Sequence, residues 1–483
     1  MTRRRPAAGD QAAALGTEPV PRLLWHACTQ TTMSVGVYGI YALTNAWFVA
    51  RGVGTVAFAA VNLVAPLLLL LGAVATTVGV GGASLVSRSL GLGDLDQAAR
   101  AAGNAFVAFW ATAIGVGVVG VVLLDPLLIL LGATSQTRGY AHDYGLIVLA
   151  GSVTATGFSS VVRAEGRLRF STLLWVIPVL IHIALDPLLI FGLHLGVRGA
   201  ALGTVGGQVV SMAMSVWFFF VQRHRPYRIT LAHLRPHGPT LRRLVSVGGP
   251  SILGGIGLTV VTVLANNLLV TVGGTLALSA FALCTRIGTF VTMPQTGIAQ
   301  GLQPVVGYNI GRGLPDRVRQ ATSLTLRATV IYGIGVCVAL LALANPLTGL
   351  FTDDPAVHAQ ATGAIRVLAV SYPFAGIAPL VSARLQAAGQ PGYSYWLSAG
   401  TIPGVRAPLL LAFSRLGTAG LWISFPTAEF ATAVLAVIVL RRTATARAPA
   451  SRPATAEEPH GRTNTQNAST YRDESLTRRG HRC

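Results

Sequence analysis

The chain has 483 residues, 52% of them hydrophobic and 11% charged, with a mean hydropathy of +0.60; this excludes a soluble globular domain and marks an integral membrane protein. The net charge of +20 is carried by 36 basic residues, every one of them Arg, and in so apolar a chain these belong to loops on one side of a bilayer rather than to a nucleic-acid surface. The four cysteines, Cys28, Cys284, Cys337 and Cys483, have no CxxC spacing, which excludes a disulfide framework and a thiolate metal site.

The chain opens with Arg3, Arg4 and Arg5. Its first apolar run begins only near Leu23 and shows no cleavage site, so residues 1–22 read as a cytoplasmic tail. Windows of about 19 residues then place twelve spans near 23–50, 56–83, 103–124, 141–162, 171–191, 199–221, 247–272, 276–298, 325–344, 361–383, 393–413 and 418–440. They divide into a six-helix lobe over 23–222, an Arg-rich cytoplasmic linker over 223–246, a second six-helix lobe over 247–442, and a polar, disordered tail over 443–483. Alternate loops hold most of the Arg (Arg88, Arg100, Arg163, Arg167, Arg225, Arg312, Arg317, Arg441), while the opposite loops hold little beyond Arg51, Arg138, Arg198 and Arg415. The positive-inside rule places both termini in the cytoplasm of an inner (plasma) membrane protein.

The two halves repeat. LVSRSLGLGDLDQAARAA (85–102) lies over VVGYNIGRGLPDRVRQAT (305–322) at a shift of 305 − 85 = 220, and DPLLILLG (125–132) meets NPLTGLFT (345–352) at the same shift. DPLLIFGLHLGVRG (186–199) meets APLLLAFSRLGTAG (407–420) at 407 − 186 = 221. Six spans per repeat is an even number, so the repeats run in the same direction, related by an axis along the membrane normal. Two like bundles around a central cleft are what alternating access requires. The fold class is therefore an all-α membrane protein of twelve helices in two duplicated lobes, and the functional class a secondary transporter. A chain without Lys cannot carry a Walker A motif, and no DDxxD pair is present for metal-diphosphate chemistry, so neither an ATPase nor an intramembrane prenyltransferase is expected and no cofactor is implied.

NAWFVARGVGTVAFAAVNLVAP (45–66), GGASLVSRSLGLGDLDQAARAAGNAF (81–106), LDPLLIFGLHLGVRGAALGTVGGQ (185–208) and RIGTFVTMPQTGIAQGLQPVVGYNIGRGLPDRVRQA (286–321) together resemble the multidrug and toxic compound extrusion (MATE) family over residues 23–442. The resemblance implies a V of two lobes and export of amphiphilic, often cationic, organic molecules in exchange for H⁺ or Na⁺. Spans seven and ten contain no acid, so the cation site of one branch is missing. The DinF-like prokaryotic branch uses a network in the N-terminal lobe; laid on this chain it falls on Asp186 and Thr204, with Asn45 in place of its first-helix Asp, His182 in place of its fifth-helix Asn, and Ser159 or Ser160 in place of its fourth-helix Asn.

Asp186 has two readings. Asp-Pro is a good helix start, and Asp125-Pro126, whose repeat is Asn345-Pro346, is read that way. Asp186-Pro187, however, repeats as Ala407-Pro408. The Pro persists and the acid does not, and a charge inside a bilayer is costly enough that function is the better reason to keep one. His182, four residues earlier, shares its helix face; it is either a proton-passing partner or a neutral buried imidazole. Pro178 is expected to kink the helix. Glu429 aligns with Gln208 and is read as a packing group. Arg286, Asn266, Asn267 and Tyr372 are candidate substrate-cleft residues; for Arg286 the resemblance implies a lobe-internal polar network, the favoured reading over substrate contact, and for the rest helix–helix packing is the equal alternative. The expected partners are a small organic solute and the lipid bilayer, without nucleic acid, and the expected state is a monomer. A lipid-linked saccharide flippase remains the principal alternative.

Overall fold

The computed structural model describes residues 8–155 and 157–445, and among these the helices are joined by short turns and loops, without a strand. The spans are Val20–Gly52, Thr55–Leu92, Leu95–Val122, Arg138–Ala164, Leu168–Gly192, Gly196–Val221, the two halves of Gly238–Gly311, Pro315–Gly349, the bent pair Pro355–Ala369 and Tyr372–Ala387, 391–414, and Gly417–Thr445. Nine of these helices meet a simple test of length and apolarity. Twelve are reached because Gly238–Gly311 turns back at Gly274, the bent pair makes one crossing, and 391–414 is broken into short pieces by two π turns.

The duplication is visible in the turns. Gly274 has φ +67 and Gly54 φ +110, and 274 − 54 = 220. Gly93 and Gly313, again 220 apart, have φ +80 and +71. Each reversal needs a left-handed residue, which only Gly adopts without strain. Pro178 does not break the fifth span, which runs helically from Leu168 to Pro187 before the π turn Leu188–Gly192.

The lobes meet along the second and eighth spans, at the ends where both run past the expected boundaries. A Cβ on Gly307 would lie 2.0 Å from Ser87 Oγ, and 307 − 87 = 220, so a residue touches its own image on the pseudo-two-fold axis. The flanking contacts are reciprocal. Gly91 packs on the Tyr308 carbonyl at 2.1 Å and Gly311 on the Arg88 carbonyl at 2.2 Å, measured from an ideal Cβ. Leu302, Val305 and Val306 join Val86 and Leu90 in a core that crosses the interface. In the second span, burial is nearly continuous from Thr77 to Leu90, whereas residues 55–76 are largely exposed or half-buried, so the lobes separate toward the other end.

Two segments differ from expectation. Ala8–Thr17, inside the expected tail, is a helix. The Leu15 carbonyl accepts from Asn309 Nδ2 at 2.9 Å, and Gln11 packs on Gly166, so this helix touches both lobes at their closed end. The expected linker is shorter, since the seventh span begins at Gly238. Within it Arg225 is buried with Glu165: Nε donates to Oε2 at 3.2 Å, a second bond runs from the guanidinium to Oε1, and Tyr227 donates to the same carboxylate at 2.5 Å. The tail expected over 443–483 lies outside the described residues apart from its first three.

Candidate coupling site

Asp186, His182 and Asn45 come together between the first, fifth and sixth spans, with relative exposures of 1%, 3% and 9%. Asp186 lies inside the fifth helix and caps nothing. Asp125, expected as a helix cap, sits in a first turn but makes no cap hydrogen bond there; it is exposed and paired with Arg138 at 3.0 Å. His182 Nε2 is 2.9 Å from Asp186 Oδ1 and 3.3 Å from Asn45 Nδ2. One ring nitrogen cannot serve both at once: protonated it donates to the carboxylate, unprotonated it accepts from the amide. The short Nε2–Oδ1 approach is poorly aligned, and Asp186 Oδ1 is left buried without a hydrogen bond.

The sixth span makes room for this carboxylate. Gly199, Gly203 and Gly207, spaced by four, form one face against the fifth span. A Cβ on Gly203 would fall 2.2 Å from Asp186 Oδ1, and one on Gly207 would fall 2.9 Å from the Pro178 carbonyl. Thr204 donates to its own helix, to the Ala200 carbonyl at 3.1 Å. The Tyr41 ring lies 4.6 Å from the His182 ring, centroid to centroid.

Ser159 and Ser160 are not part of this group. Ser159 Oγ accepts from Trp175 Nε1 at 3.0 Å and Ser160 Oγ from Arg163 at 2.9 Å. The fourth span breaks after Thr154, so residues beyond it face differently from those of an unbroken helix. Tyr372 is buried in the C-terminal lobe, where its carbonyl accepts from Gln295 at 2.9 Å and its hydroxyl lies over Gly288, so it does not line the cleft. Asn267 is exposed and bonds its own helix at 2.9 Å, while Asn266 is half-buried. Arg286 is exposed and has no bonded partner among the described residues, which rules out the lobe-internal network.

The C-terminal lobe carries a counterpart that the sequence reading missed. Arg406 pairs with Glu429 at 2.9 Å beside a small cavity that Val261 and Ser424 also line. On the repeat, 406 − 186 = 220 and 261 − 41 = 220, while 424 − 203 = 221. The cavity is thus the image of the site around Asp186, Tyr41 and Gly203. The residue that lines it is Arg406, not the Ala407 aligned through the shared Pro, because the π turns Trp396–Gly400 and Ile402–Arg406 change the helical phase. Glu429 accordingly belongs to an ion pair, not to a simple packing hydrogen bond.

Two six-helix lobes on a pseudo-two-fold axis, closed at one end and open at the other, are the architecture of a membrane transporter. The MatE family model matches residues 32–188 and 250–411, once in each lobe, and the chain belongs to this family. It is 28% identical to a multidrug export protein MepA of Staphylococcus haemolyticus over 83% of this chain and 89% of the relative. It is 25% identical to an FAD transporter of Shewanella oneidensis over 84% of this chain and 91% of the relative. A structure solved for the outward-facing conformation of a multidrug resistance MATE family transporter has the same fold, with a TM-score of 0.82 over 92% of this chain and 99% of the other, at 23% identity.

Proposed function

We propose that this transporter exports amphiphilic organic molecules by antiport with protons, and that the exchanging proton is held by Asp186 and His182. The observation that carries this reading is the single His182 nitrogen between Asp186 at 2.9 Å and Asn45 at 3.3 Å. A proton on Nε2 turns the imidazole toward Asp186 on its own helix. Without it, Nε2 accepts from Asn45 and ties the fifth span to the first. Proton binding then changes which helices are joined, and it shifts the lobe between two arrangements only because it binds them unequally. Sodium is the poorer fit, since hard cations take several oxygen ligands and here a ring nitrogen occupies the approach to Oδ1.

The orientation of the reading follows charge. Arg88, Arg100, Arg163, Arg312 and Arg317 lie at the closed end of the spans, and the sparser Arg51, Arg138, Arg198 and Arg415 at the other. With the closed end cytoplasmic, both termini are on the cytoplasmic side of the plasma membrane and the cleft opens outward, ready to release substrate and take up a proton. The test is efflux of a fluorescent organic dye from vesicles holding the full chain, with the pH and Na⁺ gradients imposed separately. Transport under the pH gradient alone is expected; transport that follows only the Na⁺ gradient would replace the proton in this reading.

A further inference from the structure

The first, second, seventh and eighth spans, which face the gap between the lobes, contain no Asp or Glu. Within them Arg286 lies twelve residues from the turn at Gly274, about 18 Å along the helix at about 1.5 Å per residue, near the middle of a hydrocarbon layer about 30 Å thick. Its direction is fixed by its neighbours on the same face. Gly301 packs on Cys28, Gly297 on Thr32, and Phe290 and Met293 on Gly39, all in the first span of the other lobe. Stepping back four residues from Phe290 at helical spacing reaches Arg286. The guanidinium therefore projects toward the opposing lobe, just beyond the last inter-lobe contact, and not toward lipid. It is exposed, and no acid on either wall neutralises it. Phe290 beneath it is 45% exposed and supplies an apolar floor.

Building on the transport reading above, we propose that the cleft recognises an organic anion: a carboxylate, sulfonate or phosphate group seated on Arg286, with the apolar body against Phe290 and the first span. A planar guanidinium binds such groups through paired charge-assisted hydrogen bonds, and a cleft without acids offers a cationic solute no counter-charge. The same chemistry could be supplied by a free solute or by an anionic lipid headgroup.

The experiment uses the full chain in nanodiscs and two dyes with one ring skeleton and opposite charge, fluorescein and rhodamine 6G, followed by fluorescence anisotropy without any ion gradient. In phosphatidylcholine discs the chain is expected to bind fluorescein more tightly than rhodamine 6G. Arg286→Gln is expected to weaken fluorescein binding about tenfold or more and leave rhodamine 6G binding no weaker, with Arg286→Lys in between. Phosphatidylglycerol that competes with fluorescein in the wild type assigns the anion to a headgroup, and absence of competition assigns it to a solute; either result retains the anion site. Equal affinities for the two dyes, no fluorescein binding, or fluorescein affinity unchanged in Arg286→Gln would overturn it. Since binding is read without transport, a failure here leaves the proton antiport untouched, and the reverse holds as well.

Discussion

Gly203 is the residue on which the geometry of Asp186 most depends, although it carries no functional group. An added methyl would sit 2.2 Å from Oδ1, so Gly203→Ala has to displace the carboxylate or part the fifth and sixth spans. Its pH-driven efflux is expected to fall by about tenfold, the loss that a shift of about 1.4 kcal/mol produces, while the variant remains folded by thermal melting; wild-type efflux would show that the carboxylate does not need its present position. His182→Gln keeps a hydrogen-bonding group toward Asn45 but cannot carry a proton. Efflux under a pH gradient should be lost while binding of the organic substrate persists. Asp186 and His182 were legible in the sequence because an acid is rare in this chain and the spacing of four puts both on one helix face. Tyr41 and Gly203 were not, because their roles come from packing between spans distant in sequence. Glycines at 199, 203 and 207 carried the only available signal, a repeat of four that permits close helix approach.

Among the elements, the segment between the lobes departs furthest from its appearance in sequence. A run of Arg reads as a solvated linker, yet Arg225 is buried against Glu165, and Arg225 also lies over the Phe219 ring at 4.5 Å. Composition cannot separate the two cases, since the partner that buries Arg225 lies sixty residues earlier. Burial first, and then the Glu165 carboxylate, hold the Tyr227 phenol well above its ordinary value. Its proton therefore stays in place, and the sign follows: this stabilisation is fully present below the usual phenol pKa of about 10 and is lost only as pH rises through the higher folded value. Removing one partner of a buried pair leaves an uncompensated charge, so Arg225→Met should cost about 3–5 kcal/mol, read as a lowered unfolding midpoint. The double variant Glu165→Leu/Arg225→Met should recover part of that loss. If the single variant melts as the wild type does, the clamp does not hold the linker. The helix Ala8–Thr17 was likewise hidden, because its Ala-rich sequence gains order only from docking on Asn309 and Gly166.

At the scale of the whole molecule, the architecture was the most legible part. Hydropathy counted the spans, and the shift of 220 residues located the axis that Ser87 and Gly307 occupy. The sequence did not show which end is closed, since that depends on which of many glycines meet a facing backbone. Gly311 is one of them, and Gly311→Val should wedge the lobes apart at the Arg88 carbonyl. Spin labels at Asp94 and Leu314, in the loops beside the contact, should report a longer distance and a smaller closed population than in the wild type. An unchanged distance distribution would mean that the contact does not set the closed state. The mirrored Arg406–Glu429 pair gives the C-terminal lobe an ion pair where the N-terminal lobe has Asp186 and His182, and under the proposed function the exchanging proton is assigned to the N-terminal lobe alone. The most direct test of that assignment is dye efflux under an imposed pH gradient, compared between the wild type and Asp186→Asn reconstituted in equal, folded amounts. The expected result is gradient-driven efflux in the wild type and none above the protein-free background in Asp186→Asn; full efflux by Asp186→Asn would contradict the account.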